Sequence, residues 1–165
     1  MEQFIKRMFD KKFCDLQTVE VDGGVVERFD KTAPKTISCT KPIHFKCTVS
    51  TLALADAEED ERGVFTLTAK LEKGVVSASY KSNSESFDFA APPSFMDRLQ
   101  SVIAEYDFAR FNGMSYVVSG LPDMYGATVS VKYESGEDIY SNNNQDCFIP
   151  LEAIKKLIAI FKKHK

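Results

Sequence analysis

The fold class of this chain is predicted mainly from the stretch TVSVKYESGEDIYSNNNQD, residues 128–146. From Ala127 to Tyr133 apolar and polar residues alternate, which is the period of a strand with one buried face. Glu134-Ser135-Gly136 predicts a hairpin turn, and the residues after it predict the return strand. A polar loop then leads to Pro150 and to apolar residues at helical spacing: Leu151, Ile154, Leu157, Ile158 and Phe161.

An earlier segment has the same order of strand, turn, strand, loop and helix. The run TLTAKLEKGVVSASY, residues 66–80, predicts two strands around a turn that contains Gly74. The run SFMDRLQSVI, residues 94–103, predicts a helix, and Ser94 with Asp97 resembles a capping box at its start. Two interpretations stay open: a ββα unit used twice, or two hairpins that are alike by chance.

The chain before these segments adds a hairpin and a longer strand. Asp22-Gly23 lies between two β-rich runs and favours a type I′ turn, so residues 16–22 and 24–30 form the predicted hairpin. Further on, polar residues that include His44 alternate with apolar ones. This alternation predicts a strand with one apolar face, made of Ile43, Phe45, Cys47 and Val49.

Together these elements predict a single α+β domain over residues 1–165. Its architecture is an antiparallel sheet built from hairpins, with two amphipathic helices covering one face as a two-layer sandwich. Residues 1–13 carry apolar residues at helical spacing and predict a short peripheral helix; a basic membrane-surface helix is the less favoured alternative. His164 falls in a C-terminal tail that we expect to fray.

The second face of the predicted sheet is rich in Ser and Thr. This face is either plain solvent-facing surface or a docking face, and plain surface is the favoured interpretation. Its hydroxyl residues are Thr66, Thr68, Ser77, Ser79, Thr128 and Ser130.

Composition excludes several classes of function. The formal net charge is −3 with a pI near 5.5, which argues against a general nucleic-acid binder, since such proteins need clustered Lys and Arg. The N-terminus lacks the apolar core of a signal peptide, and no stretch approaches the roughly 20 apolar residues of a membrane span. We therefore expect a cytoplasmic protein. Its four cysteines are expected to be reduced, with a Cys39–Cys47 disulfide as the less favoured alternative.

Motifs that carry chemistry are missing from the sequence. The two histidines have no partners at metal-ligand spacing, and no C-x-x-C or H-E-x-x-H occurs. Neither a phosphate-binding glycine loop nor a nucleophile motif occurs, so no cofactor and no catalytic residue is predicted. Cys147 follows Asp146, which would disfavour its thiolate.

Candidate binding residues lie in two neighbouring segments. The Gly/Pro loop SGLPDMYGA carries the apolar residues Leu121, Met124 and Tyr125, which would form a hydrophobic patch for a protein partner if they were exposed together. The 133–146 hairpin carries Tyr133, Glu137, Tyr140 and Asn144. Its NNNQD loop suits either recognition or capping of the last helix.

The favoured hypothesis is a non-enzymatic domain that binds another protein, as an adaptor or an immunity-type inhibitor. The alternative is a small-ligand or enzymatic site between the 121–125 loop and the 133–146 hairpin. A closed pocket in which Tyr133, Glu137, Tyr140 and Asn144 converge would favour the alternative, whereas a flat patch with an apolar centre would favour a protein partner.

The run FNGMSYVVSGLPDMYGATVSVKYESGEDIYSNNNQ, residues 111–145, followed by IPLEAIKKLIAIF, residues 149–161, resembles a group of small bacterial proteins of unknown function. The shared pattern is N-G, then G-L-P, then Y-x-S-G-E-x-I-Y, then N-Q before a terminal helix. The resemblance covers about the C-terminal half of the chain. It implies a bacterial origin, and it transfers neither an activity nor functional residues.

Overall fold

The structure is a computed structural model that describes residues 16–21, 24–120 and 125–165. The described residues form nine strands and two α-helices, with short 3-10 helices at Glu59–Glu61 and Phe108–Phe111. The strands are β1 (Leu16–Val21), β2 (Val25–Asp30), β3 (Pro42–Ser50), β4 (Val64–Glu72), β5 (Val75–Lys81), β6 (Ser86–Ala91), β7 (Met114–Val118), β8 (Ala127–Tyr133) and β9 (Asp138–Asn143). The helices are α1 (Ser94–Glu105) and α2 (Leu151–Lys162).

All nine strands belong to one sheet, in the order β1-β2-β7-β9-β8-β3-β4-β5-β6. Neighbouring strands are antiparallel except β7 and β9, which run parallel. The predicted α+β fold built from hairpins is therefore confirmed. The predicted helix over residues 1–13 lies outside the described residues.

The hydrophobic core lies between the sheet and the two helices. Phe45, Cys47 and Val49 of β3 are fully buried, as the alternation of this strand predicts. The buried side chains of the helices join the same cluster: Phe95, Met96, Leu99, Val102 and Ile103 from α1, and Ala153, Ile154, Leu157 and Phe161 from α2. Burial of these apolar stripes is the main force that holds the helices on the sheet.

The predicted hairpins are present at β1–β2, β4–β5 and β8–β9. In the β4–β5 hairpin the two turn residues, Lys73 and Gly74, have φ of 51° and 80°. Two positive φ angles are the signature of a type I′ turn, whose twist matches that of the flanking strands. The turn predicted at Asp22-Gly23 lies outside the described residues.

The parallel pair β7–β9 forms a seam that joins the N-terminal hairpin to the rest of the sheet. Only Ser115↔Asn142 and Tyr116↔Asn143 are paired along it. Before β7, the buried Asn112 lengthens the seam, because its side chain accepts a hydrogen bond from Tyr140 N at 2.8 Å and donates one to Asp138 O at 2.9 Å. The same amide also donates to Pro34 O at 3.0 Å, so it anchors the chain between β2 and β3 as well.

Gly113 lies between Asn112 and β7, where the chain enters the seam. Its φ is +80°, and a Cβ at this position would lie 2.7 Å from Asp30 O. Its N–H donates to Tyr140 O at 2.9 Å. Glycine at this position is therefore required both by the backbone conformation and by the available space.

Two local expectations are wrong. Ile43 is 38% exposed, because the pairing of β3 with β8 shifts register between Pro42 and His44 and turns Ile43 away from the core. The capping box at Ser94 is absent, because α1 begins at Ser94 itself and Pro93 occupies the N-cap position without a side-chain hydrogen bond.

Two further features differ from the expectations: an additional strand, β6, and the order of the C-terminal tail. β6 lies between the β4–β5 hairpin and α1, so the first of the two similar segments has a third strand that the second does not. His164 is not frayed: its ring stacks on Phe89 with centroids 4.9 Å apart, and Arg98 Nη2 lies 2.8 Å from its Nε2. The additional strand and the tail therefore pack against each other.

We expect Asn112→Ala to destabilise the protein by about 2 kcal/mol or more. The substitution leaves partly buried backbone groups of Tyr140, Asp138 and Pro34 without their Asn112 partner, and each unsatisfied group costs roughly 1–3 kcal/mol. Chemical denaturation followed by circular dichroism measures the change, and Asn83→Ala, at an exposed asparagine, is the matched control. An Asn112→Ala variant as stable as the control would contradict the role of Asn112 in the seam.

Candidate functional site

The structure separates the binding residues that the sequence predicts. Tyr133 is 2% exposed and lies on the helix-covered side of the sheet, whereas Tyr140 is 48% exposed on the opposite side. Burial raises the pKa of Tyr133 to about 12. Tyr125 is 41% exposed, and Leu121 and Met124 lie outside the described residues.

Glu137 ties the β8–β9 turn to the chain that precedes β3. Its carboxylate accepts hydrogen bonds from the N–H groups of Ser38 and Cys39, both at 2.9 Å, and from the Ser135 hydroxyl at 2.8 Å. These bonds, with that from Ser38 contributing most, lower the pKa of Glu137. The carboxylate therefore acts as an anionic clamp between two loops.

Asn144 closes the other end of the seam. Its side-chain amide accepts a hydrogen bond from Val118 N at 2.9 Å and donates one to Val118 O at 3.0 Å, so it pairs with β7 as another strand residue would. Its backbone N–H donates to Tyr116 O at 3.2 Å. Asn144 is 8% exposed, which gives it a position inside the fold.

The remaining residues of the NNNQD loop form bonds within the loop and across the hairpin. Asn143 Oδ1 accepts from the N–H groups of Gln145 and Asp146, both at 2.9 Å, and Asn142 Oδ1 accepts from the Thr128 hydroxyl at 2.8 Å. The α2 N-cap is Pro150, which makes no side-chain cap bond. The loop therefore shapes the end of β9 and does not cap α2.

Gly126 lets the NNNQD loop approach the start of β8. A Cβ at this position would lie 1.9 Å from Asn143 O and 2.6 Å from Asn144 Cα. No side chain fits in that space. The space between Gly126 and the NNNQD loop is therefore filled by closely packed backbone, and the hydrogen bonds of Asn144 hold the loop in place.

The side of the sheet that the two helices leave uncovered carries mainly polar side chains. Its outward side chains form rows across six strands, and all of them are exposed or half-buried. Register gives a central row of Tyr140, Ser130, Lys46, Thr68, Ser79 and Asp88, and a second row of Asp138, Lys132, His44, Lys70, Ser77 and Ala90. We call these two rows the open face.

Two concave regions in the described part of the chain lie away from the described residues of the predicted ligand site. One is a shallow hollow on the open face, lined by residues such as Thr68, Ser79 and Asp88. Another is a groove of about 260 Å³ beside α2, with Phe65 and Ile154 in its wall and Lys155 at its rim, where Lys155 Nζ lies 2.8 Å from Glu61 Oε1. None of Tyr125, Tyr133, Glu137, Tyr140 and Asn144 lines either one.

The three described cysteines are unpaired thiols: Cys39, Cys47 and Cys147. Burial raises the pKa of Cys147 to about 11, and Asp146 adds to the shift, so the predicted suppression of its thiolate is confirmed. Burial also raises the pKa of Cys47. Neither thiol is activated for nucleophilic attack.

No family model, curated protein or solved structure matches this chain. Among residues 16–21, 24–120 and 125–165, no three His, Cys, Asp or Glu side chains cluster as a metal site. The helices of this described part are too short or too polar to cross a membrane.

We expect Glu137→Gln to lower the melting temperature near neutral pH, with a difference from wild type that shrinks as the solution is acidified. The pKa of Glu137 is lower in the folded state than in the unfolded chain. Its contribution is therefore fully present above the unfolded value of about 4.3 and is lost as the pH falls through the folded-state pKa.

Thermal melts across this pH range measure the effect. Glu134→Gln, an exposed neighbour in the same turn, is the control and should leave the melting temperature nearly unchanged. A Glu137→Gln deficit that stays constant on acidification would show that the carboxylate charge has no part in the clamp.

Proposed function

We propose that this protein is a non-enzymatic protein-binding domain that docks its partner on the open face, as an adaptor or an immunity-type inhibitor. The observation that carries the proposal is the shape and make-up of that face. It is a mainly polar surface six strands wide with only a shallow hollow in it, and its central row carries hydroxyl side chains together with the half-exposed Tyr140. Tyrosine is enriched in protein interfaces and among the residues that contribute most to binding.

The contacts of the predicted ligand-site residues favour this proposal over a small-ligand site. Glu137 uses its carboxylate on Ser38, Cys39 and Ser135, and Asn144 uses its amide on Val118. A ligand would have to break these bonds to reach either side chain. The alternative stays a prediction for Leu121 and Met124, which lie outside the described residues.

The cytoplasm is the proposed location. Cys39, Cys47 and Cys147 are all free thiols, which is typical of a reducing compartment. A cytoplasmic partner protein would meet the open face directly.

Blocking the open face should remove binding. We expect the double variant Thr68→Tyr/Ser79→Tyr, which places two large side chains at the centre of the face, to lose a partner that wild type captures from a lysate of its source organism. Tyrosine is favoured in strands, so the fold should persist. The matched control is Ser101→Tyr, at an exposed position of α1.

The captured protein, once purified, is then titrated against all three proteins by isothermal calorimetry. Binding that is lost only in the double variant supports the proposal. Equal capture by all three proteins, or no capture by wild type, would overturn it. A metabolite that raises the melting temperature of wild type but not of Asn144→Ala would instead favour the small-ligand site.

A further inference from the structure

Three adjacent strands bring four basic side chains together on the open face. His44 of β3 is paired with Lys70 of β4 on one side and with Lys132 of β8 on the other. Lys46 lies two residues along β3 and therefore on the same face. We call His44, Lys46, Lys70 and Lys132 the basic cluster.

The three lysines of the basic cluster are close enough to His44 to act on it electrostatically. The pKa of His44 is lowered first by its partial burial and then by Lys132, Lys70 and Lys46, in that order. No acidic side chain is among these influences. His44 is therefore surrounded by positive charge, although the whole chain carries a net charge of −3.

Two lysines of the basic cluster differ from two paired lysines of α2. On α2, Lys155 pairs with Glu61 at 2.8 Å, and Lys156 pairs with Glu105 at 2.5 Å. In the described part of the chain, neither Lys46 nor Lys132 has a carboxylate within ion-pair distance, and both are exposed. They are therefore available to an anionic partner.

Acidic side chains border the basic cluster and limit what can bind. Lys70 forms an ion pair with Glu72 at 2.6 Å, and Asp138 lies opposite Lys132 across the β8–β9 hairpin. A nucleic acid has a continuous row of phosphates, which these carboxylates would repel. A protein can place carboxylates over Lys46 and Lys132 and other groups over Glu72 and Asp138.

We infer that the open face recognises an acidic protein surface, with carboxylates of the partner on Lys46 and Lys132 and an apolar contact on Tyr140. The inference rests on the proposed function and adds the chemical class of the partner. The hydroxyls of Ser130 and Thr68, the cross-strand neighbours of Lys46, give the partner hydrogen-bonding groups between the charges.

The experiment uses a fluorescein-labelled poly-L-glutamate peptide as the probe and fluorescence anisotropy as the readout. We expect wild type to bind the probe, with an affinity that falls as salt is added. The variant Lys46→Gln/Lys132→Gln should bind about tenfold more weakly, which is the loss of roughly 1.4 kcal/mol expected for two exposed charge contacts. The matched control is Lys163→Gln, an exposed lysine next to α2, and it should bind as wild type does.

Competing outcomes separate the inference from the proposed function. A double-stranded DNA oligonucleotide that binds more tightly than poly-L-glutamate would replace the acidic protein by a nucleic acid. Absence of probe binding, or equal binding by all variants, would overturn the inference. The capture test with Thr68→Tyr/Ser79→Tyr does not depend on charge. A partner that this variant fails to capture but that Lys46→Gln/Lys132→Gln still captures would support the proposed function and overturn the inference. Unchanged circular dichroism and melting temperature establish that each variant is folded.

Discussion

The parallel pairing of β7 with β9 is the constraint on which the rest of the structure depends. It is the one junction between the β1–β2–β7 part of the described sheet and the other six strands, and only two residue pairs span it. Side-chain amides lengthen it at both ends, Asn112 before β7 and Asn144 after β9. Because a buried amide offers both a donor and an acceptor, each asparagine can stand in for a strand residue that parallel geometry leaves unpaired.

This use of polar residues explains why the 133–146 hairpin resembles a recognition site in the sequence. A carboxylate and a run of amides between turn residues are equally suited to binding a ligand and to binding the chain itself. Here Glu137 binds the N–H groups that precede β3, and Asn144 binds β7. Gly126 brings the backbone so close to Asn143 that the remaining space is filled.

The basic cluster of the open face, by contrast, cannot be recognised in the sequence, where only the Ser and Thr residues of this face form a visible pattern. His44 and Lys46 are ordinary polar positions of an alternating strand, and Lys70 and Lys132 lie 26 and 88 residues from His44 along the chain. Pairing of β3 with both β4 and β8 converts these separate lysines into one cluster. The pairing also leaves the cluster uncovered by the two described helices, which pack on the other side of the sheet. Charge on this face is therefore a property of the topology and of register.

The sequence by itself determined the elements whose period is local. Alternation predicted β3, β4, β5, β8 and β9, and the 3.6-residue spacing predicted α1 and α2, because burial of one face of each element is encoded by residues close together in the chain. Tertiary structure alone decided the order of the strands, the bulge that exposes Ile43, the position of β6 at the sheet edge and the roles of Asn112, Glu137 and Asn144. Each of these depends on which distant backbone groups need a partner, and hydrogen bonds between residues remote in sequence leave no periodic signal in it.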